Sequence, residues 1–319
     1  MKKPLLSIVI FLLLVFQKPL FGQDPQYSQF YAAPLYLNPA LAGTGVTGGP
    51  RIIMNYRNQW PAITGTFESY AVSYDQFVPM ISGGAGLLVT TDQAGDGNLR
   101  STEVSGIYSY QYNINRKSSL IAGLEFTYAF KTIDFFRLTM PDQIDPQRGV
   151  TRFTQERFPK GSVSYPDFSS GLLYFQKLYY LGFTVHHLNE PGQSLLKGAS
   201  NLPRKWSLQG GGSLPINKKM SLAPAILWRH QEIFDQFDLG MYLLYEPIML
   251  GIYWRNQDAL ILLLGIKKDN ITIGYSYDLT TSDLRLAGAS SHELSFSIEF
   301  PPRIPLRKYR RLSCPSFGK

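Results

Sequence analysis

Hydrophobic and polar positions along this chain alternate with a period of two over long stretches. From Thr102 to Tyr112 the even positions hold Val104, Tyr108, Tyr110 and Tyr112, and the odd positions hold Glu103, Ser105, Ser109 and Gln111. From Leu120 to Phe130 the even set is Leu120, Leu124, Phe126, Tyr128 and Phe130, set against Gly123, Glu125 and Thr127. The same alternation returns from His292 to Phe300, where Leu294, Phe296 and Ile298 interleave with Glu293, Ser295, Ser297 and Glu299. Period two places each set on one face of a β-strand. One face is apolar and the other polar or small, and the length matches the roughly 9 to 11 residues of a tilted membrane-crossing strand.

The connections separate a membrane barrel from a soluble sandwich. After a first strand at Arg51 to Asn58, tight links fall at Val78 to Met80, Asn113 to Arg116, Gln176 to Lys177, Ile216 to Lys218, Glu246 to Pro247 and Lys268 to Asn270. The alternate links are mostly longer: Gln59 to Thr66, Asp92 to Leu99, Ile133 to Tyr165, Leu188 to Pro203, His230 to Ile233, Arg255 to Asp258 and Leu279 to Ser291. Short periplasmic turns alternating with longer outer loops define an outer-membrane barrel, and the links imply about fourteen strands. The predicted fold is all-β, a transmembrane antiparallel β-barrel over residues 51–300. The strands near Arg204 to Leu214 and Ala259 to Ile266 alternate poorly.

The two ends fall outside this pattern. Lys2 and Lys3 precede an apolar run from Leu5 to Phe16 that breaks at Pro19, the arrangement of a secretory signal peptide over residues 1–22. That run is too short to cross a bilayer as a helix, and the mature chain is expected to carry no transmembrane helix. Residues 23–50 contain Pro25, Pro34, Pro39 and Pro50, too many interruptions for membrane strands. This segment is expected either in the periplasm or folded into the barrel as a plug. At the other end Pro301 and Pro302 stop the last strand, and residues 301–319 are expected to form a periplasmic tail.

Charge singles out that tail. Without Lys2, Lys3 and Lys18 the chain has 28 basic against 23 acidic residues, yet the tail alone carries six basic residues and no acid. The body is therefore nearly neutral, and no basic stripe supports nucleic-acid binding. A docking role for the tail would rest on Arg307, Lys308, Arg310 and Arg311, with Cys314, Pro315 and Phe317 anchoring its end. A tail lying on anionic lipid head groups is the plainer alternative. Cys314 is the single cysteine and forms no internal disulfide; in this basic setting it is an incidental residue, or else a reactive thiol or the site of an intermolecular bridge.

Composition agrees with lipid-facing strands, since 14% of residues are aromatic and only 17% charged. Catalysis finds little support. His186 and His187 are adjacent, which in a strand would send them to opposite faces, and neither His230 nor His292 is accompanied by a nucleophile motif. No phosphate-binding glycine loop is present, so no cofactor is expected; Gly210 to Gly212 reads as close strand packing.

The run from Asp24 to Gly43, reading DPQYSQFYAAPLYLNPALAG, resembles the mature N-terminus of the PorP/SprF family of the Bacteroidota type IX secretion system. Arg51, Asn55 to Pro61, Tyr70 to Asp75 and the ending Cys314 to Phe317 extend the resemblance over the mature chain. It implies an outer-membrane barrel that assists secretion or surface attachment of large cargo such as gliding adhesins, and the lack of catalytic motifs adds the expectation that the barrel is not an enzyme. The implied partners are membrane lipid, the cargo or its C-terminal domain, and other secretion-system components. Within the motif Tyr27, Phe30, Tyr31, Asn38, Pro39 and Gly43 are the candidate docking or plugging residues. Asn38 and Pro39 equally suit a structural turn leading into the first strand. A passive porin or solute transporter is the alternative function, with Glu103, Gln111, Glu125 and Lys131 lining its lumen.

Overall fold

Fourteen antiparallel strands close on themselves in the computed structural model, which describes residues 24–302 except 64, 66, 96–98, 152, 157, 159, 196–199, 218 and 283–289. In chain order they are β1 Arg51–Gln59, β2 Phe67–Val78, β3 Gly83–Ala94, β4 Leu99–Asn113, β5 Ser118–Ile133, β6 Ser162–Gln176 and β7 Tyr179–His186. They continue as β8 Lys205–Gly212, β9 Met220–Gln231, β10 Phe234–Tyr245, β11 Ile248–Arg255, β12 Ala259–Lys268, β13 Ile271–Thr280 and β14 Ser291–Glu299. Each strand pairs with its neighbours in sequence, and β1 pairs with β14 from Arg51 opposite Glu299 to Gln59 opposite Ser291. A closed sheet leaves no edge in the bilayer, the condition for spanning lipid without helices. Among the described residues no helix is long and apolar enough to cross a membrane.

The alternation read from the sequence sets the two faces. Leu124 is 63% exposed and Phe126 49%, while Glu125 and Thr127 between them are buried. The outward set carries Tyr108, Tyr110 and Tyr112 toward one end of β4 and Tyr128 and Phe130 toward the opposite end of the apolar band on β5. These are the aromatic girdles of a barrel. Arginine at Leu124 or Phe126 is expected to cost roughly 2 to 4 kcal/mol at mid-membrane. Arginine at Thr127, which faces the interior, should cost less in a denaturant titration of the inserted protein. Equal losses on the two faces would contradict the register.

One end of the barrel carries tight links, among them 177–178, 246–247 and 269–270, and the other carries 134–161 and 187–204. Three departures from the expected alternation occur. The loop-side links 232–233 and 256–258 are as tight as turns, with Glu232 at φ 55°, and the turn-side link 213–219 is longer than its counterparts. Strands β4, β5 and β6, with 15, 16 and 15 residues, are well beyond what a bilayer requires. Their outward side turns polar at Arg100, Thr102, Thr132, Ser162 and Ser164, so they stand above the apolar band as a wall on the loop side.

The interior is divided along the barrel axis. The turn-side half is filled by an apolar cluster that includes Leu173, Phe175, Leu244, Met249, Ile261 and Leu263 from the strands. The loop-side half is lined by charged and polar groups. That division explains why β12 alternates poorly in sequence: its inward Ile261 and Leu263 are apolar because they pack in the cluster, and its outward Leu262 and Leu264 face lipid.

Candidate functional site

What fills the turn-side half is the proline-rich N-terminal segment, which lies inside the barrel as a plug. Prolines that forbid strand pairing here start short helical turns: a helix at Pro34–Leu37 and a 3-10 turn at Pro39–Leu41. Asn38 caps the second of these, its Oδ1 accepting from Ala40 N at 2.8 Å. The same side chain donates through Nδ2 to the carbonyl oxygens of Leu172 on β6 and Phe183 on β7, at 3.3 and 3.4 Å. The Asn-Pro pair thus makes a turn and ties it to the barrel wall.

The wall accommodates the plug backbone through glycine. A Cβ at Gly123 of β5 would lie 2.2 Å from Ala40 N, and one at Gly171 of β6 would lie 2.0 Å from Asn38 Oδ1. Neither position has room for a methyl group. Tyr27, Phe30, Tyr31, Asn38, Pro39 and Gly43 are all buried. Phe30 sits edge-on to Tyr253 and Tyr31 tilts against Tyr242, with ring centroids 5.4 and 5.3 Å apart. Gly43, at φ 73°, donates its N–H to Asp75 Oδ2 at 2.7 Å, and Asp75 also pairs with Arg51 at 2.8 Å. The motif residues therefore face the barrel interior.

Above this core a network of buried charges holds the start of the plug. The Glu293 carboxylate accepts from the backbone N–H groups of Ser28 at 2.6 Å and Gln29 at 3.1 Å. Ser28 Oγ donates to Asp278 at 2.6 Å and accepts from Arg57 at 2.6 Å and Arg255 at 3.2 Å. Arg57 pairs with Asp278 at 2.9 Å, and Arg255 and Arg229 share Asp238. Burying ions is costly unless each is paired and hydrogen-bonded, and here one plug residue satisfies groups from β1, β11 and β13 together.

At the loop-side end Asp24 forms a second attachment. Its Oδ2 lies 2.6 Å from Lys205 Nζ and 2.8 Å from His187 Nε2, and His187 Nδ1 lies 2.6 Å from Asp167 Oδ2. Carboxylates on both ring nitrogens require both to donate, which is the imidazolium form. Burial opposes that charge, but Asp24 and Asp167 outweigh it and push the His187 pKa up to about 10. Burial likewise opposes ionisation of Asp24, and Lys205 and His187 overcome it to hold the carboxyl well below its usual range.

These directions set a pH window. The His187 contribution is complete below its ordinary value of 6.5 and is lost as pH rises through about 10. The Asp24 contribution is present above its ordinary value of 3.8 and is lost as pH falls through its depressed value. Protection of the Gln26 to Ser28 amides from hydrogen exchange, corrected for intrinsic rates, should decline above neutral pH. His187→Gln should flatten that alkaline decline; an unchanged profile would exclude the latch.

The pairing of His187 with the lumen corrects the expectation that His186 and His187 point to opposite faces. Strand β7 ends at His186, and His187 adopts φ 58°, which turns its ring inward beside that of His186. His230 contacts Asp235 and His292 contacts Tyr275. Among the described residues no group of three His, Cys, Asp or Glu is placed to hold a metal. Glu103, Gln111, Glu125 and Lys131 face the interior as expected. The segment expected to be a signal peptide, residues 1–22, and the tail residues Arg307, Lys308, Arg310, Arg311, Cys314, Pro315 and Phe317 lie outside the described residues.

The plug leaves a cavity of about 780 Å³ at the loop-side mouth, lined by Asp24, Trp60, Asp92, Glu103, Glu125 and Arg229 among others. A closed, lipid-facing barrel with a folded segment inside it defines an outer-membrane β-barrel protein. The chain belongs to the PorP/SprF family of type IX secretion system membrane proteins, whose sequence pattern matches residues 20–298. No curated protein matches the chain. Among solved structures it is similar to the toluene transporter TbuX of Ralstonia pickettii, at 11% identity and a TM-score of 0.51, over 84% of this chain and 94% of that one. It is also similar to TodX of Pseudomonas putida, a toluene transporter, at 11% identity and a TM-score of 0.49 over 88% and 98% of the two chains. A FadL homologue of Pseudomonas aeruginosa shares 14% identity and a TM-score of 0.48 over 87% and 94%. At these identities the likeness concerns the barrel fold.

Proposed function

We propose that this barrel is an accessory of type IX secretion that helps large cargo proteins, such as gliding adhesins, reach or remain attached to the cell surface, and that it has no enzymatic activity. Membership of the family carries this reading. The filled turn-side lumen supports it over a passive porin, because the plug is held by hydrogen bonds from Ser28 to buried carboxylates, by the ion pairs of Asp24 and by glycine contacts that leave no slack. In this reading the signal peptide is removed on export, the turns face the periplasm and the loops face outward. Trypsin added to whole cells then cuts within residues 134–161; loss of the tail from intact cells with that loop spared would invert the orientation.

The basic tail docks an acidic periplasmic component through Arg307, Lys308, Arg310 and Arg311. Truncation after Phe300 should leave a heat-modifiable, inserted barrel and abolish surface display of cargo. Cells lacking the whole chain provide the broader test. Normal display in those cells would remove the secretion reading, and steady conductance from the intact barrel in planar bilayers would favour a porin.

A further inference from the structure

The plug is held unevenly around its circumference. Hydrogen bonds join residues 28–43 to β1, β2, β4, β6, β11, β13 and β14, and Asn38 adds one to the Phe183 carbonyl on β7. Among the described residues, β8 and β9 hydrogen-bond to the plug at Asp24 alone. Lys205 Nζ donates to Asp24 Oδ2 at 2.6 Å, while the Gln231 side chain accepts from Asp24 N at 3.2 Å and donates to its Oδ1 at 3.3 Å.

Below that contact the same wall carries polar groups that no described residue satisfies. Thr184, Ser207 and Arg229 stand directly opposite one another on β7, β8 and β9, and Gly182, Gln209 and Leu227 form the next inward row toward the turns. The hydroxyls of Thr184 and Ser207 and both amide atoms of Gln209 lack hydrogen-bond partners, although these residues are only 0%, 2% and 1% exposed. Further toward the turns the inward positions are small: Gly211, Ala225, Ala223 and Ser221, whose hydroxyl is also unpartnered. A cavity of about 20 Å³, room for about one water, lies between Lys205 and Ser207 on the wall and Phe30, Ala33 and Leu37 on the plug.

Apolar side chains would suit a permanently closed interface better, because buried hydroxyl and amide groups without partners cost stability. That cost disappears when water reaches them. The grip of the plug is therefore weakest along β8 and β9 and strongest at Ser28 and Asn38, on either side of the segment 30–37.

We propose that this stripe is a gated passage for small uncharged hydrophilic solutes, latched by Asp24 and opened when residues 30–37 stand away from β8 and β9 about the anchors at Ser28 and Asn38. Hydroxyl and amide groups that both donate and accept suit a sugar or polyol. The one charged group in the rows, Arg229, is already paired with Asp238. The passage is a property of the plugged barrel and does not depend on the secretion reading.

The test places the full-length protein in liposomes and follows their swelling in arabinose and in raffinose. Losing a buried charge pair moves a closed-to-open equilibrium by about tenfold, so Asp24→Ala should admit arabinose faster than the wild type by that factor and still exclude raffinose. Adding Thr184→Val and Gln209→Leu to that variant should return arabinose entry toward the wild-type rate. The same two substitutions without Asp24→Ala should raise the temperature at which heat-modifiable migration is lost, because they remove unpartnered polar groups. Should Asp24→Ala fail to insert, Lys205→Met breaks the latch from the wall side and carries the same expectation. Wild-type entry as fast as that of the latch variant, no acceleration in an inserted latch variant, or raffinose entry at the arabinose rate would overturn the gate. Unchanged arabinose entry after Thr184→Val and Gln209→Leu, or a lowered transition temperature for these two alone, would overturn the route.

Discussion

Deleting residues 24–42 while keeping the signal sequence is expected to turn a barrel that carries little current into one with large, steady conductance steps. The plug contributes Phe30, Tyr31, Leu35, Leu37 and Leu41 to the lumen core. Each buried side chain of this kind is worth about 1.5 to 3 kcal/mol, so together they supply on the order of 10 kcal/mol as an upper bound before the entropy of ordering the segment. Their removal exposes Tyr242, Tyr253, Ile261 and Leu263 to water inside a now empty turn-side lumen. The deleted barrel should accordingly unfold at a lower temperature in heat-modifiability gels as well as conduct. Equal conductance with and without the segment would show that the plug does not control passage.

The second large effect belongs to Glu293. Its carboxylate, at 0% side-chain exposure, faces the buried Arg57 at 3.4 Å and accepts the Ser28 and Gln29 amides. Glu293→Ala leaves two backbone donors without acceptors and a buried guanidinium short of one partner, at an expected cost of about 3 to 5 kcal/mol. Glu293→Gln keeps the acceptor oxygen and the shape, so its loss should be smaller. Protease cleavage near Tyr27, followed in micelles alongside the unfolding midpoint, would report release of the plug. A midpoint within error of the wild type for Glu293→Ala would remove this residue from the anchor.

How much of this was legible beforehand follows from what each strand faces. The strands at Thr102 to Tyr112 and Leu120 to Phe130 were readable because their inward residues are polar and their outward ones apolar. Those at Arg204 to Leu214 and Ala259 to Ile266 were blurred because Leu208, Leu262 and Leu264 face lipid while the inner side packs close against other elements. The plug was one of two readings for residues 23–50, and the prolines excluded strands without deciding between them. The anchor was harder to see, because Ser28 and Glu293 are 265 positions apart and no local pattern joins them. A usable signal existed: Arg57, Asp238, Arg255, Asp278 and Glu293 all occupy inward positions of period-two strands, where charges must find one another. His187 escaped because alternation ends one residue before it, at a left-handed backbone position.

The hydrogen bonds from the start of the plug to β14 have a bearing on the order of assembly. Hairpins such as β4 with β5 close short loops and can form early, whereas joining Ser28 to Glu293 closes nearly the whole chain and carries the larger entropic penalty. The carboxylate that receives the plug sits on the strand that also seals the barrel against β1. Seating the plug and sealing the cylinder therefore both depend on β14. A chain truncated before β14 lacks both the seam and the receptor for its own beginning, which makes the last strand a checkpoint for completeness of the whole molecule.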